Sequence, residues 1–360
     1  VAWPEQADEL LGGPRGRRTC FEVVSPFRGD DDDQIESYPA WRDVCFTLAG
    51  APADKLAREL SSLAAGADSA VHGSDADGRL LLALAQATDS AMYWQPPDRV
   101  DDALADPSVS GALVPVARAL TVAHAARWWT GPLDRDRQRF IEFVFDGEQG
   151  SEEPPDLVGA AAGLGEWRES TLDDERRSVS RPSDPAANYS GNWWSTPNVT
   201  GIFSTTRSLT RRGPAGLRLV EDSMGWREAV CWPVEPSADV RVLEIRGPAD
   251  WAALVARYPL DVTRSRWHDW FKVTGRTGTW LIPDYPKVAS DYDAIHLSVG
   301  GYLTTAGRIV PVENDEACSV LAGWSPDETY WLADVLEVAG PAVHWRSPEG
   351  DPLDWTPSTH

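Results

Sequence analysis

Arg246, Ser298 and Glu328, strung along the second half of the chain, combine an anion anchor, a hydroxyl and a carboxylate. Arg246 closes the run Val-Leu-Glu-Ile-Arg, Ser298 follows Ala-Ile-His-Leu with Thr304-Thr305 nearby, and Glu328 lies within Ser-Pro-Asp-Glu-Thr-Tyr-Trp-Leu. A guanidinium grips phosphate oxygens as a fork, and a fixed carboxylate stabilises the positive charge that develops on a sugar as its leaving group departs. A second hydroxyl run, Ser204-Thr205-Thr206, precedes Glu228. Glu228, His268 and Asp269 each lie close to a tryptophan, where reduced solvation tunes a carboxylate or imidazole for acid–base work. Trp226, Glu228, His268, Tyr302 and Trp324 are therefore the expected substrate contacts. A single histidine in an apolar strand, such as His296, reads first as a structural residue. His-Glu-x-x-His, Gly-x-Ser-x-Gly, Walker A and Gly-x-Gly-x-x-Gly are all absent.

The order Arg246, Ser298, Glu328 resembles the Arg–Ser–Glu layout of mono-ADP-ribosyltransferases over residues 240–336. The resemblance implies NAD as co-substrate, with the arginine on its phosphates, the serine bracing the site and the glutamate facing the ribosyl cation. Two positions depart from the family pattern: Ser298 is not part of a Ser-Thr-Ser strand, and Pro326 stands two residues before Glu328, where the family usually has Glu or Gln. Separately, the segments around Trp94, Trp226 and Trp324 resemble those of uncharacterised actinobacterial proteins of similar length, which implies a bacterial origin and no particular activity.

The elements that must position these residues divide the chain into three stretches. Residues 1–146 read as mainly helical with short strands, 147–187 as an acidic loop or connection, and 188–360 as an α+β region with a mixed sheet that carries the site. In the first stretch, strands are expected at 20–24, 44–48 and 137–145. Helices are expected at 53–65, where Leu56, Leu60 and Leu63 are helically spaced, after a Ser74 or Asp75 cap, and across 109–129. In the third, strands are expected at 202–209, 217–220, 229–234, 240–245, 280–282, 294–299 and 330–336. A helix capped by Asp250 should carry the stripe Trp251, Leu254, Val255 and Tyr258.

Composition narrows the partners. The 56 acidic residues outnumber 33 Lys and Arg, giving a net charge of −23 that repels a phosphate backbone, so nucleic acid is not an expected partner. The four cysteines lie far apart without a Cys-x-x-Cys pair, so no metal site is expected. No apolar run approaches the ~20 residues of a membrane span, and Val1-Ala2-Trp3-Pro4 lacks signal-peptide features, which predicts a cytoplasmic protein acting on a small-molecule ligand. The 18 tryptophans keep two other readings open. One is an enzyme of bacterial specialised metabolism acting on an aromatic or cationic substrate. The other is a non-catalytic protein that binds carbohydrate, amine or a partner through stacked indoles.

Overall fold

A computed structural model describes residues 7–25, 52–145, 147–148, 150–312, 316–348 and 353–358. It is an α+β structure, helical in its N-terminal part and built on mixed sheets in its C-terminal part. The strand expected at 44–48 lies outside the described residues.

The helices before residue 130 pack on one another through short aliphatic faces. Leu56, Leu60 and Ala64 bury one stripe of the helix Ala53–Ala64, while Ala76–Asp89 is buried almost all round through Leu80 to Ala85. Two breaks are set by side chains: Asp98 accepts from the Asp101 N–H, and Asp106 from the Ser108 N–H just before Pro107. Residues 20–24 are helical, not extended, because they end the helix Pro14–Val24. Its Arg15, Thr19, Cys20 and Val23 are buried at helical spacing, and that packing overrides the β preference of a five-residue run. Gly16 is required there, since a Cβ would lie 1.9 Å from the Leu10 carbonyl oxygen.

The strands are β1 (Gln138–Val144), β2 (Phe203–Leu209), β3 (Gly213–Pro214), β4 (Glu228–Pro236), β5 (Val242–Ile245), β6 (Pro259–Asp261), β7 (Thr279–Pro283), β8 (Ala294–Leu297), β9 (Val310–Val312), β10 (Ala317–Ser319), β11 (Glu328–Trp331), β12 (Leu336–Val338), β13 (Val343–Arg346) and β14 (Thr356–Pro357). The large sheet runs β14-β13-β4-β1-β2-β11-β8-β5, with β12 on β4 and β3 on β2; the smaller runs β6-β7-β10-β9. Among the strands of the described residues, β5 with β8 and β7 with β10 pair in parallel, and the others antiparallel. Each parallel pair needs a crossover, and the helices Pro248–Arg257 and Thr263–Thr274 lie within the first.

Further expectations about elements are corrected, among them the strand at 330–336, which is divided between β11 and β12. The 147–187 stretch is not simply a loop, since it holds the 18-residue helix Ala160–Arg177, seated through Ala160, Leu164, Trp167 and Thr171. Residues 217–220 form no strand; a 3₁₀ turn, Ala215–Leu217, leads into an irregular segment. Asp250 is not the cap of its helix: Gly247 is, and Asp250 in the first turn reaches back to the Arg246 N–H.

Successive side chains on a strand point to opposite faces, so register decides which groups meet. Arg139 and Glu328 are both paired with Thr206, and Tyr330 with Ser204, which puts Arg139, Ser204, Thr206 and Glu328 on one face of the large sheet. Thr205, Thr329, His296 and Glu244 line up across four strands on the other.

Candidate functional site

Glu328 opens β11 and lines a cavity of about 200 Å³ with Arg139, Ser204, Thr206, Ser325 and Leu219. The floor is the β1–β2–β11 sheet face, and Leu219 and Val220, in the segment after β3, cover it. Glu328 Oε2 accepts from the Ser325 N–H at 3.0 Å. Burial pushes the carboxyl up to about 7, while the Ser204 hydroxyl and the Ser325 amide draw it back toward the ionised form. Arg139 is half-buried, and its Nη1 donates to the Gln138 carbonyl at 2.7 Å. The Thr206 hydroxyl is turned toward Asp327 at 3.4 Å, which leaves Ser204 as the hydroxyl on Glu328.

Asp327 directs the two neighbouring carboxylates to opposite sides of the sheet. Its φ of 62° is left-handed, a conformation that aspartate tolerates better than most residues. On the far side Asp327 accepts from Arg207 Nε at 2.6 Å and from the Arg207 N–H at 3.1 Å. His296 lies between Asp327, at 3.4 Å, and Glu244, at 2.7 Å. Burial opposes charge on all three, but their mutual attraction wins: His296 is held above its usual value, and Asp327 and Glu244 below theirs. The histidine expected to be structural is thus the centre of a buried ionic line ending in Arg207, whose guanidinium lies 5.4 Å from the Trp128 ring centre.

The Arg246–Ser298–Glu328 grouping is dispersed at the level of side chains. The parallel β5–β8 register brings Arg246 and Ser298 to the same end of the sheet as Glu328, yet neither lines its cavity. Arg246 is exposed. Ser298 is buried as the cap of the helix Val299–Thr305, accepting from the Gly301 N–H at 3.0 Å and donating to the Ile245 carbonyl at 3.2 Å.

The expected substrate contacts are likewise divided. Trp226 stacks at 4.6 Å on Phe143, itself a wall of the Glu328 cavity, and Trp324 packs behind it, its Nε1 donating to the Glu328 carbonyl at 3.1 Å. Glu228 is exposed and pairs with Arg346 at 3.4 Å. His268 is buried beneath Tyr189, its two ring nitrogens without a hydrogen-bond partner among the described residues. Tyr302 is buried beside Tyr93 and Glu221, away from the cavity. Sequence reasoning passed over Arg139, Asp327, Glu244 and Glu221. The run Ser204-Thr205-Thr206 was visible, but its partner is Glu328 across the sheet and not the nearer Glu228.

Among the described residues, no helix is long and apolar enough to cross a membrane, and no group of three or more His, Cys, Asp and Glu is placed to hold a metal ion. Comparison of the chain with family models, with curated proteins and with solved structures finds no match.

Proposed function

We propose that the chain is an ADP-ribosyltransferase-like enzyme that consumes NAD in the Glu328 cavity, with Arg139 and Ser204 in the places the sequence offered to Arg246 and Ser298. The observation that carries this reading is an arginine, a serine and a glutamate on three adjacent strands, all facing one cavity. A volume of about 200 Å³ suits the nicotinamide-ribosyl end of the dinucleotide, and Arg139 supplies a cation for its phosphates. In the reaction the bond from ribose to nicotinamide breaks with its electron pair leaving on the nicotinamide. The acceptor bonds to the same ribose carbon and releases its proton. Ionised Glu328 opposes the charge on the sugar between these events, and Ser204 keeps the carboxylate aimed. Protonated Glu328 has no such effect, so activity should rise as pH passes upward through about 7.

Nicotinamide release and calorimetric NAD binding test the reading together. Glu328→Gln should lower release by about 10²–10³-fold while leaving NAD affinity nearly intact, the mark of a group that acts on the transition state. Arg139→Gln should instead weaken NAD binding. Wild-type protein that fails to bind NAD, or a Glu328→Gln enzyme that turns over normally, would end it. The stacked pair Trp226–Phe143 beside the cavity favours a second reading, a small aromatic or cationic substrate, which would be preferred if nicotinamide or tryptamine saturates the cavity and NAD does not.

A further inference from the structure

A cavity of about 390 Å³ lies away from Glu328, between the helix Pro14–Val24, residues 90–105, the end of the helix Thr263–Thr274 and residues 307–309. Met92, Tyr93, Pro96, Val273 and Ile309 give it an apolar wall. Apart from the exposed Asp102, its charged groups fall into two sets. Arg15 is buried against Asp101, the Ala87 carbonyl and Ser90, and Asp98 and Asp101 are also engaged by Arg18. These charges are neutralised within the protein.

Arg17 and Arg308 are not. Arg17 donates only to the carbonyls of Leu11 and Gly12, and Arg308 only to that of Thr304; neither has a carboxylate within ion-pair distance among the described residues. Arg17 Nε is buried without a hydrogen-bond partner. The two guanidiniums meet at Gly12, whose carbonyl takes Arg17 Nη1 at 3.4 Å and whose Cβ position lies 3.3 Å from Arg308 Nη1. Burial, and then the neighbouring Arg15 and Arg308 charges, make the Arg17 cation harder to sustain, opposed by Asp101. In a chain with 23 more negative than positive charges, two half-buried arginines that make no ion pair among the described residues, beside a cavity with an apolar wall, are groups awaiting an anion.

We infer that this cavity binds a small organic anion, with a carboxylate or phosphate held between Arg17 and Arg308 and an aromatic or aliphatic body against Tyr93, Pro96 and Ile309. The site is independent of the Glu328 cavity, so Glu328→Gln should not affect it.

Phenylacetate, phenyl phosphate and the neutral phenylacetamide, titrated into the full chain by saturation-transfer NMR and calorimetry, test the inference. At least one anion should bind saturably at millimolar or lower concentration, and the amide should not; which anion binds more tightly identifies the head group. Arg17→Gln and Arg308→Gln should each weaken it by about tenfold, the loss of one charge-assisted contact. Ala105→Trp at the exposed rim should block entry with both arginines in place, so a folding defect in one arginine variant does not decide the result. Absence of binding by both anions, or binding indifferent to all three substitutions, would overturn the assignment.

Discussion

His296, Asp327, Glu244, Glu221 and Glu328 each make the stability of the fold depend on pH, with signs that follow from the direction of each shift. His296 is raised, so its stabilisation is complete below its unfolded value and is lost as pH rises through its folded one. Asp327 and Glu244 are lowered and stabilise above their unfolded values, losing that contribution as pH falls. Glu221 accepts from the Gly323 and Trp324 amides through one oxygen, and burial pushes it up to about 8. A raised acid keeps its proton in the native state when the unfolded chain has lost it, so Glu221 and Glu328 cost stability as pH climbs from about 4.5 toward 8. The melting temperature should therefore fall between pH 5.5 and pH 8.5. Glu221→Gln should flatten that decline, by a few kcal/mol at most on the order set by the shift. A protein more stable at pH 8.5 than at 5.5 would contradict the assignment. Removing one member of the ion line is a different experiment. Asp327→Asn leaves His296 and Arg207 buried with one partner fewer, and should cost about 3–5 kcal/mol in denaturant unfolding at pH 6.

At the scale of elements, Ser298 separates a structural from a chemical role. As a helix cap, Ser298→Ala should cost about 1–2 kcal/mol of stability while leaving nicotinamide release per folded molecule unchanged. A loss of release without loss of stability would return Ser298 to the chemistry. Elements whose local pattern coincides with their packing were legible. The spaced leucines of Ala53–Ala64 and the stripe Trp251, Leu254, Val255 and Tyr258 both face a core, and the Phe- and Val-rich run at 137–145 is β1. Where pattern and packing diverge, the reading failed. The helix Ala160–Arg177 exposes much of its surface and is held by a few buried side chains, too sparse to stand out among acidic residues. The run Cys20-Phe21-Glu22-Val23-Val24 has strand composition but takes its conformation from neighbouring helices.

At the scale of the whole molecule, most indoles are core material. Of the sixteen tryptophans among the described residues, nine are buried and only Trp94 and Trp194 are exposed, so acrylamide should quench a minor part of the native emission and most of it after unfolding. The candidate site was hidden from the sequence for a reason of the same scale. Ser204 and Glu328 were each visible, but what joins them is the order of strands in a sheet, and β2 pairs with β11 across more than a hundred residues. Nothing local encodes such a pairing. The same topology seats β1 between β2 and β4, strands that follow it in the chain. On the ribosome, β1 emerges with both edges bare, and at the usual pace of synthesis it waits roughly 3–12 s for β2 to be made. Phe140-Ile141-Glu142-Phe143-Val144 is then an apolar ribbon with nothing to pair with, while the helices ahead of it are free to collapse. Shielding that ribbon during translation is a task the finished fold imposes on the cell that makes it.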